Sequence, residues 1–144
     1  MARFHTEGLD DIIDDMIAMG QSTGELADEM LFAGAEEVKK AWKTSIRRNK
    51  LMKNRLIDKS DMLNSVNYSR TVKRIGDIKS VDIYPQGKDR KGVKNAEKAF
   101  INHYGTSEID ATYFVDDVDD IAGPIVETRL RDIFDNWLKK HGMR

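Results

Sequence analysis

The stretch Ala99-Phe100-Ile101-Asn102-His103-Tyr104-Gly105-Thr106-Ser107 decides how the second half of this chain is read. Helix-forming residues run from Asn95 to Tyr104, with Ala96, Ala99 and Phe100 expected on one face, and stop at Gly105. A glycine just past a helix end takes up a left-handed backbone at least cost. The aromatic pair Tyr113-Phe114 follows after a short polar gap and opens a further helical stripe, Phe114, Val118 and Ile121, up to Gly123-Pro124. Pro124 suits a first helical position or kinks a longer helix. Beyond it Val126, Leu130, Ile133, Phe134 and Trp137 make an apolar stripe, and Lys139, Lys140 and His141 meet the negative end of that helix before Gly142.

Working back toward the N-terminus, Val81 and Ile83 alternate with Asp82 and Tyr84, as on a half-buried strand. Val66, Tyr68 and Val72 share one face of a preceding strand, and Gly76-Asp77 turns between them, so the spacing predicts a hairpin. Ser60-Asp61 is expected to cap a single turn carrying Met62 and Leu63. Earlier still, Ser22 with Glu25 matches a capping box, and Leu26, Met30, Leu31, Gly34, Val38, Ala41 and Trp42 form one broad arc of a long helix. Glu36 and Lys40 are placed as an ion pair on its outer side, and Phe32 falls off the arc, as a core-edge residue or a candidate contact with another subunit. Leu9, Ile12, Ile13, Met16 and Ile17 mark an acidic amphipathic helix over 7–20, with Asp10, Asp11, Asp14 and Asp15 on its polar side.

These elements define an α+β fold: a small antiparallel β-sheet packed by a long N-terminal helix and a C-terminal amphipathic helix. No repeat or linker divides the 144 residues, so a single domain is expected over 1–144. The basic connection 47–59 and the polar loop 86–94 are expected to be mobile in the isolated chain.

The net charge of −1 conceals a segregation. Residues 1–38 carry ten acidic and one basic residue, residues 39–98 carry eighteen basic and six acidic, and residues 99–144 carry nine acidic and five basic. Such blocks are solvated faces of one fold, a nucleic-acid surface, or complementary faces on neighbouring copies. The basic block 39–98 holds few aromatics, Trp42, Tyr68 and Tyr84, of which two are claimed by apolar faces, so base stacking has little support.

Catalytic signatures are not found. The chain has no cysteine, no glycine-rich phosphate loop and no His-Glu-x-x-His helix, and His5, His103 and His141 are scattered. Asp116, Asp117, Asp119 and Asp120 lack the alternating ligands and central glycine of a calcium loop, and are expected to face solvent near a helix N-terminus. No cofactor and no metal are expected. No apolar run approaches the roughly 20 residues that span a bilayer, and Met1-Ala2-Arg3-Phe4-His5 lacks the apolar core of a signal peptide.

Gly34-Ala35-Glu36-Glu37-Val38-Lys39, Met62-Leu63-Asn64-Ser65-Val66, the stretch through Ser107, and Ala111-Thr112-Tyr113-Phe114-Val115 occur in that order over about residues 25–140. In order and spacing the chain resembles the tail-component family of tailed bacteriophages, neck or tail-completion proteins distantly similar to the lambda minor tail protein Z. It departs where many relatives carry Thr-Gly, here Ser60-Asp61, and where the last helix commonly opens Pro-Phe-Leu-x-Pro-Ala, here Tyr113-Phe114-Val115-Asp116-Asp117-Val118.

The resemblance implies a structural, non-enzymatic virion protein of the head–tail junction, made in the host cytoplasm. It implies a homo-oligomeric ring, expected to be sixfold, around the channel for DNA, which passes without its sequence being read. Adjacent head-completion or connector proteins and tail-terminator or tail-tube proteins are the further partners, and no membrane is involved. The residues expected at interfaces are Asp10, Asp11, Asp14, Asp15, Phe32, Arg47, Arg48, Lys50, Lys53, Arg55, Lys88, Arg90 and Lys91. The alternative reading is a nucleic-acid-binding accessory protein that uses the basic block 39–98. A small metal-dependent hydrolase built on Asp116 to Asp120 is a third class.

Overall fold

A computed structural model describes residues 24–49, 51, 59–76, 78–140 and 142 in full, and the backbone of 3–5 and 56–58. The element order is β1 (Arg3–His5), α1 (Gly24–Arg48), α2 (Leu56–Ser65), β2 (Val66–Tyr68), β3 (Lys73–Ile75), β4 (Ile78–Pro85), α3 (Asn95–Tyr104) and α4 (Phe114–Lys140). The fold is α+β, a small antiparallel sheet with a long N-terminal and a long C-terminal helix.

Strand β4 organises the sheet. β1 pairs with it along one edge, and β2 and β3 pair with it in succession along the other, all antiparallel. The predicted first strand of the hairpin is therefore broken in two. Tyr68 pairs with Ile83 and Lys73 with Ser80, a step of five residues against a step of three. The two surplus residues bulge out between β2 and β3, and because the side-chain period is two, the buried face is kept. Val72, in that bulge, still packs against the core.

Helix α1 lies between the sheet and α4 and packs on both. That double burial explains why its apolar arc is so broad: Leu31, Ala35, Val38, Ala41, Trp42 and Ile46 all enter one core with Val66, Val81, Ile83, Phe114, Val118 and Val126. It also places Phe32 at the edge of the core, the first of its two readings. The ring is half-buried and stacks on Tyr68 of β2 at 6.2 Å between centroids, so it faces the sheet within its own subunit. The helix needs two apolar faces, and a one-arc reading catches only one. Glu36 is likewise spent on the sheet, accepting the Tyr68 hydroxyl at 2.8 Å, while Lys40 pairs instead with Glu37 at 3.5 Å.

Helices α1 and α4 run antiparallel. Leu26, Ala27 and Met30 at the start of α1 meet Leu130, Ile133, Phe134 and Trp137 near the end of α4. At mid-length Arg129 bridges to Glu37 at 3.0 Å, and at the far end Ser45 donates to the Phe114 carbonyl at 2.6 Å. Helix α4 continues through Pro124 without a break in assignment. Among the described residues no helix is long and apolar enough to cross a membrane.

The connection after α1 differs from expectation. Arg47 and Arg48 still belong to the helix, and the predicted single turn at Ser60 is a ten-residue helix from Leu56. Lys59 donates to the carbonyls of Arg47 and Asn49 at 3.1 and 2.8 Å, capping the negative end of α1. Leu51 is fully buried in the core and pins the middle of the connection. Its charge dominated the sequence pattern and hid both anchors.

Candidate assembly surfaces

Two surface regions combine exposed apolar side chains with a definite charge. The first is the joint between α3 and α4. Gly105 adopts φ +79° and ψ 176°, so the chain leaves α3 in an extended direction open only to glycine. A Cβ there would lie 2.7 Å from both the Ala111 nitrogen and the Ile109 oxygen. The loop then folds back on the helix it has left. The Thr112 and Tyr113 amides donate to the carbonyls of Asn102 and His103 at 3.0 and 3.1 Å, supplying partners to carbonyls that the end of a helix leaves free. The Thr112 hydroxyl donates to the Asn102 carbonyl as well, at 2.7 Å.

His103 ties the next helix in. Its Nδ1 accepts the Val115 amide at 3.3 Å, which satisfies one of the free donors at the start of α4. Its Nε2 lies 4.0 Å from the exposed Asp116 carboxylate. Tyr113 is held at φ +49°, a strained value for a residue with a side chain. His103 thus caps the start of α4 and packs at the joint.

Helix α3 presents its face differently from the prediction. Asn95, Lys98, Ala99, Asn102 and His103 are buried, whereas Phe100 is 64% exposed. Of the buried stripe Ala99 enters the apolar core, Asn95 and Lys98 close the loop before the helix, and Asn102 and His103 hold the joint after it. Asp89, itself buried, accepts the amides of Lys91 and Val93 and the Lys98 ammonium, the last at 2.7 Å. The Lys98 hydrogen bond holds the Asp89 carboxyl below its usual range despite burial. Loop 86–94 is thus a closed turn, with Asn95 donating back to Gly87.

Turned outward, Phe100, Tyr104 and Tyr113 form an aromatic shelf, with Tyr104 and Tyr113 57% and 54% exposed. The rings of Phe100 and Tyr104 are 4.8 Å apart, and His103 contacts Tyr104 and Tyr113 edge-on at 4.5 and 5.4 Å. Around the shelf the sequence is acidic: from Ala99 to Asp120 there are six carboxylates and no Lys or Arg. Partial desolvation, then repulsion from Asp116 and Asp120, raises the carboxyl of the exposed Asp119 above its usual range. Among the described residues no acidic or histidine cluster has the grouping of a metal site.

The second region is the tip of the β3–β4 hairpin. Ile75 and Ile78 pair across it and are 68% and 40% exposed. Arg70, Lys73 and Arg74 lie exposed on the same connection. Lys73 is held by Asp82 at 2.6 Å, while Arg74 has no ion pair among the described residues.

The residues expected at interfaces fall into three groups. Asp10, Asp11, Asp14, Asp15, Lys50, Lys53 and Arg55 lie outside the described residues, as does the acidic helix 7–20. Arg47, Arg48, Lys88 and Lys91 are exposed. Arg90 is exposed yet committed inside the subunit: its guanidinium donates to Asp61 through Nε and Nη2, at 2.9 and 2.6 Å. That pairing holds the Asp61 carboxyl down at about 2. The two residues are 29 positions apart, so charge alone could not show their union.

Sequence reasoning missed the aromatic shelf and the isoleucine pair. A signal for the first was present, since Phe100 and Tyr104 are four apart and project together from one helical face. Ile75 and Ile78 flank the predicted turn, where large apolar residues are out of place unless something covers them. Comparison with protein-family models, with curated proteins and with solved structures finds no match to this chain.

Proposed function

We propose that this chain is a structural virion protein of the head–tail junction of a tailed bacteriophage. In this reading it is a tail-completion or neck component that assembles as a homo-oligomeric ring around the DNA channel and joins tail to head. The ordered motifs support it, because each falls on a distinct element: the long helix, the end of α2, the α3 stop and the opening of α4.

The observation that carries the reading is how the side-chain chemistry is distributed. Buried and half-buried polar groups hold elements to one another: Ser45 and Asn49 clamp α1 to α4, and Asp89 with Lys98 closes the loop before α3. Five of the seven large exposed apolar side chains among the described residues lie instead at two surfaces of opposite charge, Val93 and Ile125 standing apart from them. This is the economy of a subunit built to meet other subunits, and no catalysis is assigned to it.

The test is the composition of purified particles produced from the genome that encodes the chain. Mass spectrometry is expected to find it there in a small, fixed copy number, and its absence sinks the proposal. Gel shifts on duplex DNA at low and moderate salt separate the alternative. The isolated subunit is expected to bind weakly, and tight, salt-steep binding would favour the nucleic-acid reading.

A further inference from the structure

We infer that the β3–β4 hairpin tip of one copy docks on the aromatic shelf of the next copy. The inference rests on the ring reading and assigns the surfaces that would build it.

Three features of the two regions make them partners. Their apolar content matches: a pair of branched aliphatic side chains, Ile75 and Ile78, against exposed rings of Phe100, Tyr104 and Tyr113. Aromatic anchors of this kind dominate the buried centre of protein interfaces. Their charges are opposite. From Ser69 to Lys79 there are four cations and one Asp, whereas the shelf region has six carboxylates and no cation. Asp116 is 73% exposed, and Asp119 and Asp120 lie exposed beside it, so arriving arginines would also relieve repulsion already present within that cluster.

The third feature is placement. Lys79 at the root of the hairpin bridges to Asp28 near the start of α1, at 3.1 Å. Phe114, beside the shelf, is bonded to Ser45 near the end of α1. The offset of 17 positions from Asp28 to Ser45 spans about 25 Å at roughly 1.5 Å per residue. The complementary surfaces therefore sit toward opposite ends of α1 and cannot satisfy each other within one subunit. Joining them between copies gives a head-to-tail contact, in which each subunit offers a different face to each neighbour. Such contacts close into rings when the rotation allows. The receiving side is well suited to be fixed in advance, since its rings are held by a glycine-locked, hydrogen-bonded joint.

The chain contains no cysteine, which gives a clean background for cross-linking. Full-length Ile78→Cys and Phe100→Cys variants are mixed, oxidised and resolved on non-reducing gels, with circular dichroism confirming that each is folded. The mixture is expected to give a disulfide-linked pair that neither variant gives alone, and the double variant a ladder ending in a closed covalent ring. Absence of the mixed pair at the highest concentration the protein reaches overturns the inference. So does efficient cross-linking of Phe100→Cys to itself, which would show a symmetric contact. A chain found in particles whose mixed pair never forms leaves the junction reading standing without this docking. A mixed pair from a chain absent from particles leaves self-assembly without the junction.

Discussion

The α3–α4 joint and the β3–β4 hairpin both reverse the chain, yet they are built on opposite principles. At the joint the backbone amides of Thr112 and Tyr113, the His103 ring and the absent side chain of Gly105 are all consumed internally. Only the outward rings are left over. At the hairpin tip Ile75 and Ile78 pair across the turn and remain 68% and 40% exposed, outside the apolar core. Residues at the joint are dictated by what must fit inside the fold. Those at the tip are explained, on the proposed docking, by contact with a neighbouring copy. Mutations should therefore split the two regions cleanly, with losses of stability at the first and losses of assembly at the second.

The largest effect is expected at Gly105. Gly105→Ala forces a Cβ to within 2.7 Å of two backbone atoms, which cannot swing away as a side chain would. Together with the unfavourable backbone angles this is expected to cost about 3 kcal/mol or more. Thermal unfolding should show Tm falling by roughly 10 °C for a chain of this size. A change of only a degree or two would mean that the joint is looser than its geometry implies.

Next comes Ser45→Ala. The hydroxyl is fully buried, donates to the Phe114 carbonyl and accepts from Asn49 at 3.2 Å, so it ties the end of α1 to the start of α4. Its loss is expected to cost about 1–2 kcal/mol, read by chemical denaturation with an unchanged m-value.

A smaller effect, confined to acid, is expected for the Asp61–Arg90 pair. The folded-state carboxyl is held at about 2 by the Arg90 hydrogen bonds, below an ordinary carboxylate. The pair thus contributes stability above pH of about 4, the unfolded value, and loses it as pH falls toward about 2. Asp61→Asn should flatten that limb of the stability–pH curve and leave its slope near neutrality unchanged. An acid limb identical to that of the parent would contradict the pairing.

The smallest effect on stability belongs to the hairpin tip. The Ile75→Ser and Ile78→Ser pair should move stability by less than about 0.5 kcal/mol, as exposed substitutions do. Self-association, followed by sedimentation, should nevertheless be lost. Destabilisation as large as that of Ser45→Ala would mean that the tip packs on its own subunit.

Much of this organisation could be read from residue order. The bounds of α3, its glycine stop and the apolar stripe of α4 follow from helical spacing that tertiary packing had no reason to override. The hairpin was legible in its faces but not in its break, because a bulge of two residues leaves the alternation intact. Strand β1 was not foreseen. Three residues are too few to show a period, and its only support is pairing with a strand some 75 positions away. Helix α2 was read short because the helix signal of Leu56 was submerged in charge. The pairings Glu36–Tyr68 and Asp61–Arg90 could not be seen because each joins elements that only the finished fold brings together. At the candidate surfaces the charges were visible and the aromatic shelf was not, since spacing grouped Phe100 with Ala96 and Ala99, of which Ala99 alone enters the apolar core. The rest of the face that α3 buries is polar, so an apolar count does not find it.

The most direct test of the whole account is a cryo-electron microscopy map of the neck of particles carrying this chain. The account predicts a ring of copies at the head–tail junction, with Ile75 and Ile78 of each copy seated on Phe100, Tyr104 and Tyr113 of its neighbour. A neck without the chain, or a ring in which those aromatic side chains face open solvent, would contradict it.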